Sequence, residues 1–439
     1  MALPQVERVH FIGIGGYGMS ALAEVLQQMG YRVTGSDLND SKLIQRLAEQ
    51  GAVVKLSHHP ENIGNSELVV HSTAIPPDNV ELVEARRRGI TVWHRSELLA
   101  ALLNNRYGIA VAGTHGKTTV STMIALLLEA GGLDPTALIG GEVSSFGSNA
   151  RYGHSKYLVA EACESDHSFL RYRPQMAVVT NVEADHLEHY QNDFGLMQKA
   201  YRSFLENLPA DGCAVLCADD PILRTLAFRL DRRVVTYSAD GQAADYSGHE
   251  IVFNGTGAIF NLYLKGGLCL ENITLQVPGR HNINNALAAL AVAAELGLDL
   301  KRCTGALREF QGTRRRFEII GRVNGVTIVD DYAHHPTEVR VTLEAAKTAA
   351  GRVCCIFQPH RYSRTAYFFD QFAASFSDAE LVLLHRIYSA GEEPVEGVSA
   401  AALARRIGEV RGEEIYSSED MAELGKRALA WARPGDMIV

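Results

Sequence analysis

A short glycine loop in this sequence has the residue types that bind the phosphates of a nucleotide. The apolar run of residues 109–112 predicts a strand before the loop, and the pattern of residues 120–127 predicts a helix after it. The loop itself reads Gly113, Thr114, His115, Gly116, Lys117, Thr118 and Thr119. Backbone N–H groups of such a loop and the dipole of its helix attract anions, a lysine reaches terminal phosphate oxygens, and a threonine hydroxyl suits Mg²⁺. We therefore expect ATP or GTP to bind here, in a shortened variant that has Val111 where the usual motif has its first glycine.

Polar residues follow two further predicted strands. Residues 157–160 are followed by Glu161, and residues 176–179 are followed by a polar segment that includes His186. Because ligand groups gather at the carboxyl ends of strands in open α/β sheets, both residues are expected near the phosphates. A metal ion there needs oxygen or nitrogen ligands, so Glu161 and His186 are candidate metal ligands beside Thr118. The alternative for each is a solvated loop residue.

A second glycine-rich loop lies near the start of the sequence. Residues 13–18 form a GxGxxG arrangement between a predicted strand at residues 9–14 and a helix whose apolar face begins at Met19. Asp37 follows about twenty residues later, which is typical of a dinucleotide-binding fold, where this carboxylate would contact a ribose hydroxyl of NAD. A nucleotide diphosphate is the other candidate for the helix N-terminus. Ser72, after another predicted strand, is placed to line the same crevice.

Two later segments also carry polar groups at a helix start or a strand end. Residues 279–285 open a predicted helix with one histidine and three asparagines, more than a helix cap needs, which leaves groups for a purine base or a ribose. Residues 330–336 follow one predicted strand, and Arg361 and Arg364 follow the next. Two guanidinium groups at a strand end are suited to clamp a carboxylate. A solvated surface is the alternative for these arginines.

Length and composition favour a soluble, cytoplasmic protein of several domains. At 439 residues, about three domains are expected. The net charge of −9 argues against a general nucleic-acid binder and leaves room for pockets that bind anionic small molecules. The seven cysteines are scattered without CxxC spacing, so reduced thiols are expected, with neither disulfides nor a zinc site. We find no leader pattern and no apolar run of about 18 residues, so no membrane segment is expected.

The order of predicted elements indicates an α/β chain of three domains, at residues 1–106, 107–317 and 318–439. The second of these contains the phosphate loop and a glycine-rich β-hairpin at residues 252–270. The third is expected to begin with a strand at residues 326–329.

Taken together, the motifs resemble those of the bacterial Mur ligases over nearly the whole chain. The matching blocks are HFIGIGGYGMS (10–20), GSD (35–37), AGTHGKTT (112–119), TNVEADHLEHY (180–190), GRHNINNALAA (279–289), RRRFE (314–318), DDYAHHPTE (330–338) and FQPHRYSRT (357–365). Several such blocks in this order are far more specific than either glycine loop. The resemblance implies an N-terminal Rossmann-like domain for a UDP sugar, a central P-loop ATPase domain and a C-terminal Rossmann-like domain for an amino acid.

The reaction that the resemblance implies is the ATP-dependent joining of L-alanine to the lactyl carboxylate of UDP-N-acetylmuramate, through an acyl phosphate, in peptidoglycan precursor synthesis. ATP and Mg²⁺ are the implied cofactors. Three alternatives stay open: a ligase of the same family that attaches a peptide to this sugar nucleotide, an NAD-dependent oxidoreductase, and a regulatory nucleotide-binding protein without catalysis. Neither the selectivity among alanine, glycine and serine nor the oligomeric state follows from the sequence.

The resemblance also implies roles for individual residues. The implied catalytic residues are Lys117, His186 and His334. The implied metal ligands are Thr118, Glu161 and His186. The implied ATP-binding residues are Gly113, Thr114, His115, Gly116, Lys117, Thr118, Thr119, His281, Asn282, Asn285, Arg316 and Asp331. The implied ligands of the UDP sugar and the amino acid are Gly15, Gly16, Gly18, Met19, Ser20, Ser36, Asp37, Ser72, Tyr332, Arg361 and Arg364.

The sequence departs from the family pattern in four places. Cys163 replaces an acid in the block after the strand at 157–160, Tyr17 replaces a small residue in the first glycine loop, and His385 replaces another acid. The chain also stops at Val439, where the family pattern continues into a glycine-rich loop and a final helix. We therefore expect a third domain that is truncated at its end.

Overall fold

The computed structural model describes residues 5–143 and 146–439. Strands and helices alternate along much of this chain, and the strands form three β-sheets. The predicted α/β class is confirmed. The described chain forms two compact units, which we describe separately. One comprises the described residues up to Gly248 with Leu262–Leu270 and Asn284–Leu307; the other comprises His249–Asn261, Glu271–Ile283 and Arg308–Val439.

The first sheet is parallel and carries the first glycine loop. Its elements are β1 (Arg8–Ile12), α1 (Tyr17–Gln28), β2 (Arg32–Ser36), α2 (Lys42–Glu49), β3 (Val53–Lys55), β4 (Leu68–His71), α3 (Val80–Arg87), β5 (Thr91–His94) and α4 (Arg95–Asn104). The strand order is β3-β2-β1-β4-β5. The order reverses at β1, whose carboxyl end leads into the glycine loop, and a reversal of this kind leaves a crevice between the adjoining loops.

A buried carboxylate network lies inside this first sheet. The fully buried Glu81 of α3 accepts hydrogen bonds from Ser36 Oγ at 2.6 Å and from Asn62 Nδ2 at 2.7 Å. His10 of β1, also fully buried, places Nε2 3.0 Å from Glu81 and Nδ1 2.8 Å from Thr34 Oγ1. Burial alone would raise the pKa of Glu81, but the hydrogen bonds from His10, Ser36 and Asn62 outweigh it and lower the pKa to about 2.

The second sheet has ten strands and carries the phosphate loop. Its region contains β6 (Tyr107–Ala112), α5 (Lys117–Ala130), β7 (Thr136–Val143), β8 (Ser148–Arg151), β9 (Tyr157–Glu161), β10 (Met176–Val179), α6 (Phe194–Glu206), β11 (Cys213–Cys217), α7 (Pro221–Ala227), β12 (Arg233–Ser238), β13 (Tyr246–Asn254), β14 (Gly257–Leu264), β15 (Gly267–Leu275), α8 (Arg280–Glu295) and α9 (Leu300–Glu309). The strand order is β15-β14-β13-β12-β11-β10-β6-β9-β7-β8. As predicted, β9 and β10 are parallel neighbours of β6, so their carboxyl ends lie beside the phosphate loop.

The third sheet is mixed, with one antiparallel edge strand. Its elements are β16 (Glu318–Val323), β17 (Val326–Asp330), α10 (Pro336–Ala350), β18 (Val353–Phe357), α11 (Tyr362–Tyr367), α12 (Phe369–Ala373), β19 (Leu381–His385), α13 (Ala400–Arg411), β20 (Tyr416–Ser418), α14 (Met421–Trp431) and β21 (Met437–Ile438). The strand order is β16-β17-β21-β18-β19-β20. The short strand β21 lies between β17 and β18 and pairs with both in parallel.

Two predicted elements were wrong in extent. The hairpin expected at residues 252–270 is a three-stranded meander, β13 to β15, whose two turns use Gly255 and Gly266 at positive φ. The third sheet does not start at residue 326, because β16 precedes β17 in an antiparallel hairpin with Asn324 and Gly325 at positive φ in its turn. The second error comes from the exposure of β16, whose side chains show no alternation of buried apolar residues.

The predicted domain boundaries at residues 106/107 and 317/318 fall between α4 and β6 and between α9 and β16. They stay predictions. Within the described ranges, none of the helices is long and apolar enough to cross a membrane.

We predict that Glu81→Gln destabilises the first sheet by about 2–4 kcal/mol, because it removes the charge on which the buried partners converge. A carboxyl pKa that is depressed in the folded state contributes stability at neutral pH, and this contribution is lost as the pH falls from about 4.5 towards 2. The difference in free energy of unfolding between Glu81→Gln and wild type should therefore decrease as the pH is lowered. Urea unfolding followed by circular dichroism at several pH values measures it.

The matched control for this prediction is Glu84→Gln. Glu84 lies on the same helix and pairs with Arg87 and Arg88 at the surface. This control should change stability much less than Glu81→Gln does, because solvent screens a surface ion pair. Equal effects of the two substitutions would contradict the role of the buried network.

Candidate functional site

The phosphate loop runs from the end of β6 to the start of α5. It contains two glycines at which any other residue would cause strain. Gly113 has a φ of 134°, and a Cβ built there would lie 2.0 Å from Thr180 Oγ1. Gly116 has a φ of 84°, and its Cβ would lie 2.8 Å from Asn285 Oδ1. Both the backbone conformation and the close approach therefore require glycine.

Residues at the end of β10 hold this loop in place. Thr180 Oγ1 donates to the carbonyl of His115 at 2.5 Å, and Asn181 Oδ1 accepts from the His115 N–H at 2.9 Å. The N–H of Glu183 donates to Thr114 Oγ1 at 2.9 Å. The polar segment after β10, which the sequence indicated as a ligand cluster, thus supports the backbone of the loop.

The N-terminus of α5 keeps its first N–H groups free of a side-chain cap. Helices such as α2 and α6 begin with a capping side chain, from Ser41 and Asp193. In α5 the capping position is Gly116, which has no side chain to accept a hydrogen bond. The first-turn N–H groups and the helix dipole are therefore disposed towards an anion.

Lys117, the lysine of the loop, is half-buried at the start of α5. Its Nζ donates to the carbonyls of Gly113 and Thr114 and lies 3.0 and 2.9 Å from the two carboxylate oxygens of Glu164. Burial would lower the pKa of Lys117, but the neighbouring Glu164 carboxylate outweighs it and raises the pKa. Lys117 is therefore a charged group at neutral pH.

Two of the three predicted metal ligands lie against the same stretch of β7. The N–H of Gly140 donates to Glu161 Oε1 at 2.5 Å, and a Cβ at Gly141 would lie 3.2 Å from Thr118 Cγ2. The two consecutive glycines thus let β7 approach the Thr118 methyl group and the Glu161 carboxylate closely. His186, the third candidate, has a φ of 52°, and its Nε2 and Nδ1 lie 3.6 Å from carboxylate oxygens of Asp185 and Glu188.

The first glycine loop is fastened to β2 by the residues that the sequence singled out. Asp37 Oδ2 accepts a hydrogen bond from the Gly15 N–H at 2.9 Å. The carbonyl of Ser36 accepts from the N–H groups of Gly13 and Ile14 at 2.8 and 3.0 Å. Asp37, expected to contact a ligand, therefore also shapes the loop.

The helix α1 that follows this loop is uncapped like α5. Gly16 occupies its capping position without a side-chain acceptor. Met19 and Ser20 are buried, and the Ser20 N–H donates to the Gly16 carbonyl at 2.8 Å, whereas Tyr17 and Gly18 are exposed. Ser72 follows β4 and accepts from the Ile75 N–H through its carbonyl at 3.1 Å.

The polar run at the start of α8 divides between the two units. Asn282 is buried and donates through Nδ2 to the carbonyl of Pro278 at 2.7 Å, which makes it part of the helix start. Asn285 belongs to the other unit and lies against Gly116 of the phosphate loop. Burial, together with the charge of Arg316, lowers the pKa of His281 to about 4, so this ring is neutral at pH 7.

The second unit brings several predicted residues together after β17. Arg316 Nη1 donates to Glu338 Oε1 at 3.2 Å, and the His334 N–H donates to Glu338 Oε2 at 3.0 Å. The rings of Tyr332 and His334 are 4.8 Å apart. Asp331 accepts from the N–H groups of Phe317 and Ala333 at 2.7 Å.

Burial dominates the electrostatics of this cluster. It raises the pKa of Asp331 to about 6, against the opposing charge of Arg316. Burial also lowers the pKa of His334. The charge of Glu338 acts to raise this pKa, and the charge of Arg364 acts to lower it further. His334 is therefore a neutral imidazole at pH 7.

The two arginines expected to form a carboxylate clamp have different surroundings. Arg361 Nε donates to Glu392 Oε1 at 2.6 Å, and the Ser363 N–H donates to the other oxygen at 3.0 Å. Arg364 is buried, with Nη1 3.5 Å from Nδ1 of His360. The charge of Arg361 is thus balanced by Glu392, and both arginines stay predicted carboxylate ligands.

Three side chains of these clusters had no predicted role. Glu164 and His360 were recognised as strand-end residues, after β9 and β18, but were not assigned to a site. Glu392 lies 31 residues from Arg361 and had no local signal.

Two of the departures from the family pattern have local partners. Cys163 Sγ lies 2.9 Å from Ser165 Oγ, and His385 Nδ1 lies 3.0 Å from the carbonyl of Ser418.

Three protein-family models match successive parts of this chain. The model of the Mur ligase family catalytic domain matches residues 8–107, that of the Mur ligase middle domain matches residues 111–293, and that of the Mur ligase glutamate ligase domain matches residues 315–439. The chain belongs to the Mur ligase family. The predicted resemblance is thereby confirmed, and Mur ligases use ATP.

Relatives of this Mur ligase resemble it over nearly its full length. It is 48% identical to the UDP-N-acetylmuramate–L-alanine ligase of Pelotomaculum thermopropionicum, over 98% of this chain and 93% of the relative. It is 44% identical to the ligase of the same name from Rhizobium etli, over 100% of this chain and 94% of the relative.

Solved structures show the same fold. UDP-N-acetylmuramate-alanine ligase of Thermotoga maritima matches with a TM-score of 0.82 and 29% identity, over 98% of this chain and 94% of that one. A murein peptide ligase of Psychrobacter arcticus matches with a TM-score of 0.70 and 27% identity, over 99% and 95%. The three-domain α/β architecture of the Mur ligases is therefore also that of this chain.

We predict that Gly116→Ala weakens ATP binding by about tenfold or more, because the added methyl displaces either Asn285 or the loop. Gly132→Ala is the matched control, since Gly132 has a φ of 88°, close to the 84° of Gly116, but its Cβ would meet only the flexible Arg302 at 3.7 Å. Both variants carry about 1–2 kcal/mol of backbone strain. Isothermal titration with ATP measures the difference, and equal affinities would contradict the steric account.

Proposed function

We propose that this Mur ligase joins L-alanine to the lactyl carboxylate of UDP-N-acetylmuramate, with conversion of ATP to ADP and phosphate. The observation that carries the proposal is the near-full-length similarity to ligases of that name, at 43–48% identity. The phosphate loop alone would fit many enzymes that use ATP. We also propose that the enzyme works in the cytoplasm on small-molecule substrates and binds neither nucleic acid nor membrane.

The phosphate loop supplies the positive field for phosphoryl transfer. A carboxylate is unreactive towards amines until one of its oxygens becomes a good leaving group. In our proposal the lactyl carboxylate attacks the γ-phosphorus of ATP to give an acyl phosphate and ADP. The N–H groups at the start of α5 and the ammonium of Lys117 stabilise the charge on the transferred group.

Thr118 and Glu161 would hold one Mg²⁺ and His186 a second. The packing of both residues against the adjacent Gly140 and Gly141 supports the pairing of Thr118 with Glu161. Such an ion neutralises phosphate charge and orients the reacting oxygens. The acidic surroundings of His186, from Asp185 and Glu188, suit a cation as well.

The sugar nucleotide and the amino acid would bind to different parts of the chain. For the diphosphate we propose the uncapped start of α1, with Gly15, Gly16, Gly18, Met19, Ser20, Ser36, Asp37 and Ser72 around it. For L-alanine we propose Tyr332, His334, Arg361 and Arg364. The adenosine of ATP would lie near His281, Asn282, Asn285, Arg316 and Asp331, as the family resemblance implies.

His334 has the protonation state needed to accept a proton from the attacking amine. Its Nδ1 lies 2.7 Å from the carbonyl of Tyr332, and a carbonyl only accepts hydrogen bonds. In the neutral ring Nδ1 therefore carries the hydrogen and Nε2 has the free lone pair. The amine of alanine attacks the acyl carbonyl, loses a proton to Nε2 and expels phosphate as the amide forms.

The alternatives are not favoured. The relatives at 43–48% identity are named alanine ligases, whereas the murein peptide ligase matches at 27%. An NAD-dependent oxidoreductase has no match among these relatives and structures.

Phosphate release from ATP is the first test. We expect release that requires Mg²⁺, UDP-N-acetylmuramate and L-alanine together, and a loss of at least about 10³-fold in Lys117→Ala. Release with a peptide but not with L-alanine would establish the peptide ligase instead. ATP binding without release under any of these conditions would sink the proposed reaction.

We predict that Arg364→Lys raises the KM for L-alanine by about tenfold or more, because an ammonium cannot form the two parallel hydrogen bonds of a guanidinium with a carboxylate. The KM for ATP should change less than about threefold. Arg340→Lys, on the exposed side of α10, is the control and should leave both values unchanged. An unaltered KM for L-alanine in Arg364→Lys would remove Arg364 from the substrate site.

A further inference from the structure

Glu164 makes a contact that the reaction scheme above does not use. Its buried carboxylate accepts from Lys117 Nζ through both oxygens, at 3.0 and 2.9 Å. The same Nζ donates to the carbonyls of Gly113 and Thr114. A lysine ammonium has only three hydrogens to donate. The protein's own acceptors therefore occupy Lys117 completely in this arrangement.

The segment that carries Glu164 is itself fixed. The hydroxyl of the buried Tyr190 donates to the Glu164 carbonyl at 2.6 Å. On either side of Glu164, Cys163 Sγ and Ser165 Oγ lie 2.9 Å apart. Lys117, with a long side chain at a helix start, is thus the partner that is able to move away from the ion pair.

We propose that Glu164 is a positioning residue of the nucleotide site, which holds Lys117 back on the loop until a phosphate replaces the carboxylate. The inference rests on the proposed function only in taking a nucleotide phosphate as the ligand of Lys117. Binding of ATP then includes the exchange of one anionic partner of Lys117 for another. Because the competent arrangement is only partly populated before binding, this exchange lowers the apparent affinity for ATP.

The test is ATP binding by isothermal titration in EDTA, without the sugar nucleotide, so that no turnover occurs. Glu164→Gln should bind ATP about tenfold more tightly than wild type, since the neutral amide holds Lys117 less strongly. Glu164→Asp, which keeps the charge, should stay within about threefold of wild type. An unchanged or weaker affinity in Glu164→Gln, or an equal gain in Glu164→Asp, overturns the proposal.

Two controls separate this mechanism from simpler electrostatics. Glu84→Gln removes the same charge from a surface ion pair and should leave ATP affinity within twofold of wild type. In a Lys117→Met background, Glu164→Gln should give no gain. The same gain in that background would mean that Glu164 repels the phosphate directly, which also overturns the proposal.

A crystal structure of the wild-type protein with a bound non-hydrolysable ATP analogue is the second test, which needs no variant to fold. We expect Lys117 Nζ to contact a phosphate oxygen and to lie beyond hydrogen-bond distance of Glu164. Retention of both Glu164 contacts with the analogue bound overturns the inference. If the protein shows no ligase turnover but Glu164→Gln still tightens ATP binding, the proposed reaction is contradicted and this inference is supported.

Discussion

The structure depends on a steric constraint at the phosphate loop, whose backbone passes so close to Thr180 and Asn285 that residues 113 and 116 have no room for a side chain. The register of the sheet creates this constraint. Because Val179 of β10 pairs with Ala112 of β6, the next residue along each strand brings Thr180 against Gly113. A shift of this register would remove the hydrogen bonds that fix the carbonyl and N–H of His115. The parallel pairing of two strands thus determines where the anion-binding N–H groups lie.

Carboxylates recur beside three of the cations that we propose as ligands of substrates. Lys117 is paired with Glu164 in one unit, and Arg361 is paired with Glu392 and Arg316 with Glu338 in the other. An unpaired charge in a protein interior is costly, so each cation that awaits an anionic substrate needs an internal partner. Anionic substrates must then compete with these carboxylates.

Much of the fold was predictable because buried parallel strands have continuous apolar sequences. Residues 109–112 and 176–179 were recognisable in this way, and the loops after them followed from strand-end position. The edge strand β16 was missed, since it is exposed to solvent and lacks that signal. The meander of β13 to β15 was predicted with one strand too few. Side-chain partners distant in sequence, such as Glu392 for Arg361, depend on how the third sheet folds. For the same reason the sequence suggested that Asp37 binds a ligand but not that it fastens Gly15.

The position of β21 bears on how the third sheet assembles during synthesis. Residues 437–438 come last in sequence among the described strands of that sheet, yet they lie between β17 and β18, which end at residues 330 and 357. Those two strands do not pair with each other across the described sheet, so their facing edges stay open on a nascent chain until β21 emerges from the ribosome. Exposed strand edges recruit other chains. The interval between synthesis of β18 and β21 is therefore when this domain is most open to misassociation, and a chaperone that covers strand edges would act there.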